Sequence, residues 1–379
     1  MNSFFVSCAL GLEQALLGEL TEKSFLFLGS DGRPNTKPLQ LISQESGGVL
    51  LEADLLFGLQ IPLFSKLANR VLIRLSQGKT VEFFQLENQI KKLDLKIKEA
   101  QFHISCSQSK IGNEKRVLEI FERKIKQNKE SEVSIFVRIH KDLCDISLDI
   151  SGHHLHKRGY KKFNAKASLR ETLASLLFFE AFSDLSRFEM AQGILIDPFC
   201  GSGTLLFEAA AFYTLNKIDF SLLSQFIPLP KLILSESFQV QYSELIHKSV
   251  FSEYYGFDID PKEIQTSLSN KAAFLEFFPK LEEVPIHFNQ GDLFAAEPTI
   301  SGDRKTYLVC NPPYGDRLKW TFSYQEMVEA QISKFKPQRI AFIIPKYSFS
   351  EIQGYELTKH FAFQNGGIAV EFYLFQVKK

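Results

Sequence analysis

The sequence predicts an α/β protein in two parts, and three observations predict it. From about residue 190 onward, continuous apolar runs alternate with helical stretches: Gly193–Ile196, Tyr254–Phe257, Ile286–Phe288, Tyr307–Cys310, Arg339–Ile344 and Ala369–Val377. Runs that are apolar throughout suit strands buried on both faces, and so a mostly parallel sheet layered with helices. Before residue 153, shorter strand and helix patterns alternate, as in an α+β unit. Between the two, His153–Arg170 holds Lys157, Arg158, Lys161, Lys162, Lys166 and Arg170 and no acidic residue, a change of character that marks a junction. A chain of 379 residues is also long enough for two cores.

In the first half, residues 3–8 alternate as a strand and 11–23 as a helix. The stretch 29–48 is rich in Gly, Ser, Pro and Asn and reads as a loop leading into the strand Val49–Glu52. A helix over 54–68, a strand over 70–76, a helix over 81–93 and a strand over Gln101–Ser107 follow. Residues 113–128 place Val117, Leu118, Phe121 and Ile125 on one helical face and Lys115, Arg116, Arg123, Lys124 and Lys126 on the other. Val133–His140 and Cys144–Asp149 form a hairpin. Residues 214–250, with Pro228 and Pro230, read as an insertion between the first two strands of the C-terminal sheet.

Hydrophobic content of 45% and charged content of 23% are ordinary for a globular domain. Lys+Arg and Asp+Glu balance at 44 each, so any grip on nucleic acid has to come from local basic patches. The five cysteines are scattered, without a C-x-x-C pair, which argues against a disulfide framework or a metal site and for reduced thiols. No basic leader precedes the apolar start, and no run reaches the roughly 18 apolar residues of a membrane span. The expectation is a cytoplasmic protein with no metal and no membrane segment.

Four motifs fall at successive strand ends. Ile194–Asp197 runs through Pro198-Phe199-Cys200-Gly201-Ser202-Gly203-Thr204 into a helix. The two glycines allow positive φ and close backbone approach, and the helix start offers free N–H groups. A dinucleotide fingerprint would want a third glycine where Leu206 stands, which disfavours a dehydrogenase. In Gly256-Phe257-Asp258-Ile259-Asp260 a carboxylate ends the next strand; Asp258 can accept from a ribose diol or serve as a helix cap. Asp292 of Gln290-Gly291-Asp292-Leu293 can accept from an adenine amine.

The fourth motif, Asn311-Pro312-Pro313-Tyr314, is the most specific. The lone pair of an exocyclic base amine is delocalised into its ring, so the amine is a poor nucleophile. The Asn311 amide oxygen and the Pro312 carbonyl can accept its two N–H bonds and stabilise the charge that develops on attack. The prolines stiffen the turn, and Tyr314 offers a flat face to a base swung out of its stack. Cys200 and Cys310 lack the Pro-Cys context of a thiolate mechanism, which is rejected.

On these residues the chain resembles the THUMP-domain RNA guanine-N2 methyltransferases, of the bacterial large-subunit rRNA (RlmL-like) type. The likeness extends over Phe4–Cys8 with Gly11-Leu12-Glu13, over His140–Asp149 and Leu155–Tyr160, over Leu169–Ala174, over both glycine and Asn-Pro-Pro-Tyr motifs through Leu318, and over Asn365-Gly366-Gly367. It implies a ferredoxin-like segment plus an RNA-gripping THUMP domain (about 45–152) within residues 1–152. Residues 153–379 would be a Rossmann-like methyltransferase using S-adenosylmethionine. Asp197, Phe199, Gly201, Gly203 and Thr204 would then face the methionine part of the cofactor, with Glu171 and Thr172 closing over it. Asp258 would take the ribose, Asp292 the adenine and Asn311–Tyr314 the target guanine, with Ile259, Leu293 and Asn311 also bordering the cofactor. Arg116, Lys124, Lys157, Arg158, Tyr160, Lys161 and Lys162 would contact RNA, rRNA before tRNA. Two departures from the family, a long 29–48 loop and Ala165–Ser168 in place of a proline-bearing segment, bear on RNA selection. Larger relatives carry a second methyltransferase domain, which these 379 residues do not contain. The same motifs serve DNA amino-methyltransferases and, at the Asn-Pro-Pro-Tyr turn, glutamine-amide methylation in release factors. Those readings stay open at this point.

Overall fold

A computed structural model describes residues 1–29, 31–93, 96–163, 169–233, 235, 250–292, 304–314, 322–365 and 367–378. Their contacts divide into two compact units. One holds Met1–Cys8, Leu16–Leu155 and Leu215–Ser243; the other holds Ala9–Ala15, His156–Thr214 and Glu244–Lys379. The chain is therefore not cut once, and each unit borrows a segment from the sequence of the other.

The first unit is built on β1 (Asn2–Ser7), α1 (Glu13–Ser24), β2 (Leu41–Glu45), β3 (Gly48–Ala53), α2 (Leu55–Phe64), β4 (Arg70–Lys79), α3 (Phe83–Lys91), β5 (Glu99–Ser107), α4 (Glu114–Glu122), β6 (Lys126–Gln127), β7 (Ser134–His140) and β8 (Leu143–Asp149). The strands form one eight-stranded sheet in the order β2-β3-β1-β4-β8-β7-β5-β6. Two features depart from the sequence expectation. The 29–48 stretch is not all loop, since Leu41–Glu45 pairs antiparallel with β3. Nor does the amphipathic helix reach 128: it ends at Glu122, and Lys126–Gln127 joins the sheet beside β5. The predicted β7–β8 hairpin is present, turned by Lys141 and Asp142, both at positive φ, the condition of a two-residue turn that matches strand twist.

A polar cluster lies wholly buried in this unit. The Glu19 carboxylate accepts from Lys23 Nζ (2.8 Å), Ser65 Oγ (2.6 Å) and Lys66 N (2.6 Å). Lys66 Nζ donates to Asn216 Oδ1 (2.9 Å), and Asn216 Nδ2 donates to the carbonyls of Pro62 and Ser65. Buried charges need such partners to be tolerated, and Asn216 thereby fastens the start of the 215–243 segment into the first unit.

The second unit holds α5 (Glu171–Phe182), α6 (Arg187–Ala191), β9 (Gly193–Asp197), α7 (Thr204–Ala210), β10 (Glu253–Asp258), α8 (Pro261–Phe277), β11 (Ile286–Gln290), β12 (Lys305–Cys310), α9 (Tyr324–Phe335), β13 (Arg339–Ile344), β14 (Tyr355–Asn365) and β15 (Ile368–Val377). The strand order is β11-β10-β9-β12-β13-β15-β14. β9 to β13 run parallel, and β15 lies antiparallel between β13 and β14. The α/β class with a Rossmann-like sheet is thus observed. β9 and β13 are buried at every position, as continuous apolar runs require. β14 escaped the sequence reading because it is an edge strand whose residues are mostly exposed. Among the described residues, no helix is long and apolar enough to cross a membrane.

Candidate active site

From β9 the chain winds to one side of the sheet through β10 and β11 and then returns to the other side as β12. The reversal between β9 and β12 leaves a crevice at the carboxyl ends of the strands, where α/β folds bind ligands. All four sequence motifs leave strands at this edge.

The first loop is held by backbone geometry. Gly201 has φ +50° and Gly203 φ +81°. A Cβ on Gly203 would lie 2.7 Å from Phe288 and 2.8 Å from Phe207, whereas one on Gly201 would meet nothing within 4 Å. One glycine is needed for packing, and the other leaves a vacant space against the backbone. The loop is tied to β10 twice: Cys200 N donates to Phe257 O (2.9 Å) and Gly201 N donates to Asp258 Oδ2 (3.0 Å). Asp258 Oδ1 accepts from Asp260 N (2.9 Å). The cap of α8 is Asp260, whose side chain accepts from Lys262 N, so Asp258 is free of that duty. Burial pushes its carboxyl up in pKa, against the pull of these N–H groups. Ile259, the next residue, is 66% exposed, an uncovered apolar face suited to a flat ring.

Asp197 ends β9 only 2% exposed, with Oδ1 accepting from Phe199 N (3.1 Å). Burial pushes its carboxyl up to about 8, and the neighbouring Asp258 adds to the shift. Among the described residues, no cationic side chain contributes to that balance. A carboxylate so placed fits the ammonium group of a methionyl moiety.

At β12, Asn311 Oδ1 is buried and has no hydrogen-bond partner among the described residues. Buried acceptors are nearly always satisfied, so an orphan at the strand end marks a place for a donor on a ligand. Pro312 is buried and Pro313 half-buried. The Tyr314 hydroxyl accepts from Asn365 Nδ2 (2.8 Å). Burial holds the thiols of Cys200 and Cys310 well above the ordinary cysteine pKa, which removes them as nucleophiles.

Other expected residues are less simply placed. Glu171 and Thr172 open α5 and are both buried, and burial raises the Glu171 carboxyl. Asp292 follows β11 at intermediate exposure, its carbonyl accepting from Lys334 Nζ (3.1 Å). Leu293, Lys166, residues 315–318 and Gly366 lie outside the described residues.

The RNA-contact set needs correction. Arg158 (7% exposed) and Tyr160 (1%) are buried. Arg158 Nε pairs with Glu208 Oε2 (3.3 Å), while Tyr160 OH (2.7 Å) and Ser175 Oγ (2.7 Å) also donate to that carboxylate. The basic junction therefore fastens its chain onto α7 instead of presenting these two groups to phosphate. Lys124 Nζ donates to Ile90 O (3.2 Å) and Leu93 O at the end of α3, and half-buried Lys161 donates to Leu169 O (3.1 Å). Lys162 pairs with Glu276 (3.0 Å) at the surface. Arg116 is exposed, with its guanidinium 4.3 Å over the Phe83 ring, and Lys157 is exposed. Among the described residues, no group of three or more His, Cys, Asp or Glu side chains is arranged to hold a metal.

A parallel sheet with this reversal, an open glycine loop, carboxylates closing β9 and β10 and an unpartnered amide oxygen closing β12 define an S-adenosylmethionine-dependent methyltransferase. Residues 158–349, more than half of the chain, match the RMKL-like methyltransferase domain. The chain belongs to that family. It is 34% identical over 194 residues to the ribosomal RNA large subunit methyltransferase K/L of Vibrio parahaemolyticus serotype O3:K6, a stretch covering 49% of this chain and 26% of that protein. It is 26% identical to the protein of that name from Stutzerimonas stutzeri, over 100% of this chain and 53% of the relative. The chain thus spans at most about half the length of these curated relatives. The crystal structure of "a possible methylase" from Clostridium difficile 630 superposes with a TM-score of 0.75 at 25% identity, covering 100% of this chain and 98% of that one.

Two outcomes follow from the cofactor side of the site. Asp258→Ala removes a charged acceptor with lone pairs to spare, and should weaken S-adenosylmethionine binding by about 1–3 kcal/mol; an unchanged calorimetric dissociation constant would leave Asp258 a purely structural tie. Asp197 titrates high in the folded protein, so its favourable contribution to folding is full below the unfolded carboxylate pKa and fades as pH rises through about 8. In thermal melts without cofactor, Asp197→Asn should therefore gain on the wild type as pH goes from 5 to 8. At pH 6.5 the wild type should release a proton on binding cofactor and the variant none, seen by calorimetry in buffers of different ionisation heat.

Proposed function

We propose that this methyltransferase acts on the exocyclic N2 amine of a guanosine in RNA, with 23S ribosomal RNA as the substrate. The observation that carries this reading is the buried, unpartnered Asn311 Oδ1 at the end of β12, next to the Pro312 carbonyl. Two acceptors side by side suit an amine with two N–H bonds. S-adenosylmethionine supplies the electrophilic methyl group. Asp197, Phe199, Gly201, Gly203 and Thr204 hold its methionyl end, with Glu171 and Thr172 beside them. Asp258 takes its ribose and Asp292 its adenine, with Ile259 beside the ring. Asn311 and Pro312 accept from the target amine and steady the charge that develops on nitrogen, and Tyr314 stacks on the base.

The ribosomal substrate is supported by the curated relatives, both of which carry a large-subunit ribosomal RNA name; the guanosine comes from the likeness of the motifs. Residues 1–152 are read as a ferredoxin-like segment with a THUMP domain that grips RNA, and residues 153–379 as the catalytic domain, acting in the cytoplasm. Of the expected RNA contacts, Arg116, Lys157 and Lys162 are exposed and are the cations offered to phosphate. Reversing their charge should weaken RNA binding and reduce its salt slope by about 0.7 for each phosphate no longer neutralised. A fall in affinity with the slope unmoved would count against a phosphate-binding role.

Mass mapping of RNA from a strain lacking the gene tests the assignment. One 23S guanosine should lose its N2-methyl group. A methyl lost from tRNA alone would move the substrate, and no loss from any RNA guanosine would sink the reading.

A further inference from the structure

We propose that Asn365 is a positioning residue for the base-stacking face of the catalytic turn: from the end of β14 it holds the Tyr314 ring by its hydroxyl, in the orientation that receives the target base. This rests on the reading of Tyr314 as the stacking residue. The two prolines fix the backbone as far as Pro313, but a tyrosine ring still hangs on two rotatable side-chain bonds. A ring that is free to turn presents its face part of the time only. Tying the hydroxyl fixes rotation about the first bond, and because a donor to a phenol oxygen lies best near the ring plane it also biases rotation about the second; the Asn365 Nδ2 to Tyr314 OH bond of 2.8 Å is such a tie.

Topology explains why so distant a residue can do this. β14 is antiparallel to β15, which is antiparallel to β13, which is parallel to β12. β14 therefore ends at the same edge of the sheet as β12. Three strand spacings separate them in the strand order, about 14 Å at about 4.8 Å each. Four residues beyond Cys310, ending in a long side chain, reach that far. Asn365 is itself well anchored, since it is the last position of β14 in register with Ile368 of β15, and Gly367 at φ +88° closes the hairpin tightly behind it. Asn365-Gly366-Gly367 belongs to the family likeness in the sequence, where it has no role of its own. The hairpin end supplies one.

A double-mutant cycle tests this with 23S rRNA stripped of protein from a strain lacking the gene, S-adenosylmethionine labelled in its methyl group, and the full chain. Tyr314→Phe and Asn365→Ala should each lower kcat/KM for RNA about three- to tenfold, the range of one neutral hydrogen bond. The double variant should be no worse than the poorer single one, because both remove the same bond. Asn365→Asp, which can accept from the tyrosine hydroxyl, should recover part of the loss, and only when Tyr314 is intact. Cofactor affinity and melting temperature should stay at wild-type values across the set. Losses that multiply in the double variant, or an aspartate that rescues equally with Phe at 314, would overturn the positioning role. Wild-type protein that leaves every guanosine N2 unmodified would instead overturn the substrate reading on which it rests.

Discussion

Asn311→Ala should lower kcat by about 10²–10³, the usual cost of removing one preorganised polar group from a water-poor site, while cofactor affinity changes far less. Stability separates this outcome from a merely structural role. The Asn311 Oδ1 atom is buried without a partner among the described residues, and an unsatisfied buried acceptor costs about 1–3 kcal/mol of desolvation. Truncating it should leave the melting temperature unchanged or raise it. If the side chain only propped up the turn, activity and stability would fall together. Tyr314→Ala should behave differently again, losing about 1–3 kcal/mol of base stacking and showing it mostly in KM for RNA. Single-turnover methyl transfer beside melting curves reads both quantities. A stable Asn311→Ala protein with near-normal turnover would falsify the acceptor role.

Arg158→Ala should be among the most destabilising single changes in the second unit. It takes the guanidinium away from the Glu208 carboxylate, which is 1% exposed and also accepts from the Tyr160 and Ser175 hydroxyls. Breaking one side of a buried pair typically costs about 3–5 kcal/mol, and Glu208→Ala should cost about as much because it removes the arginine's carboxylate partner. Urea titration of each variant measures it. A phosphate-binding role for Arg158 predicts the opposite pair of results, with stability intact and RNA affinity reduced. Glu208→Gln should fall between, since the amide oxygen can still accept from Tyr160 or Ser175.

The strands and the crevice were legible because their signals are local. A continuous apolar run such as Ile194–Ile196 or Leu308–Cys310 can hardly be anything but a strand buried on both faces, and the residues that follow inherit their place from it. The misreadings share a physical cause: partners distant in sequence. Arg158 and Tyr160 look like part of a basic surface run until Glu208, far along the chain, is seen to receive them. Lys124 looks like one more cation on a polar helix face until the carbonyls at the end of α3 are seen to take its ammonium. β14 was missed because an exposed edge strand lacks the apolar continuity that betrays its neighbours, and β2 because its glycine- and proline-rich surroundings overrode a short alternating pattern. The role of Asn365 depends on strand direction alone, which no residue type encodes.

The exchange of segments between the two units also bears on synthesis. The first unit includes Leu215–Ser243, fastened at its start by the Asn216 bonds to Lys66, Pro62 and Ser65. A ribosome that has released Leu155 has thus delivered the whole eight-stranded sheet but not Asn216, which accepts from the buried Lys66 ammonium. At about 5–20 residues per second, the remaining residues up to Ser243 arrive roughly 5–20 s later. Until Asn216 has emerged the nascent sheet lacks that contact, and of the second unit's strands only β9 is synthesised before Ser243. A chain truncated near residue 155 should repeat this state permanently, as an unstable, chaperone-dependent fragment, whereas a version with the 215–243 segment supplied in trans should recover part of its protection from proteolysis.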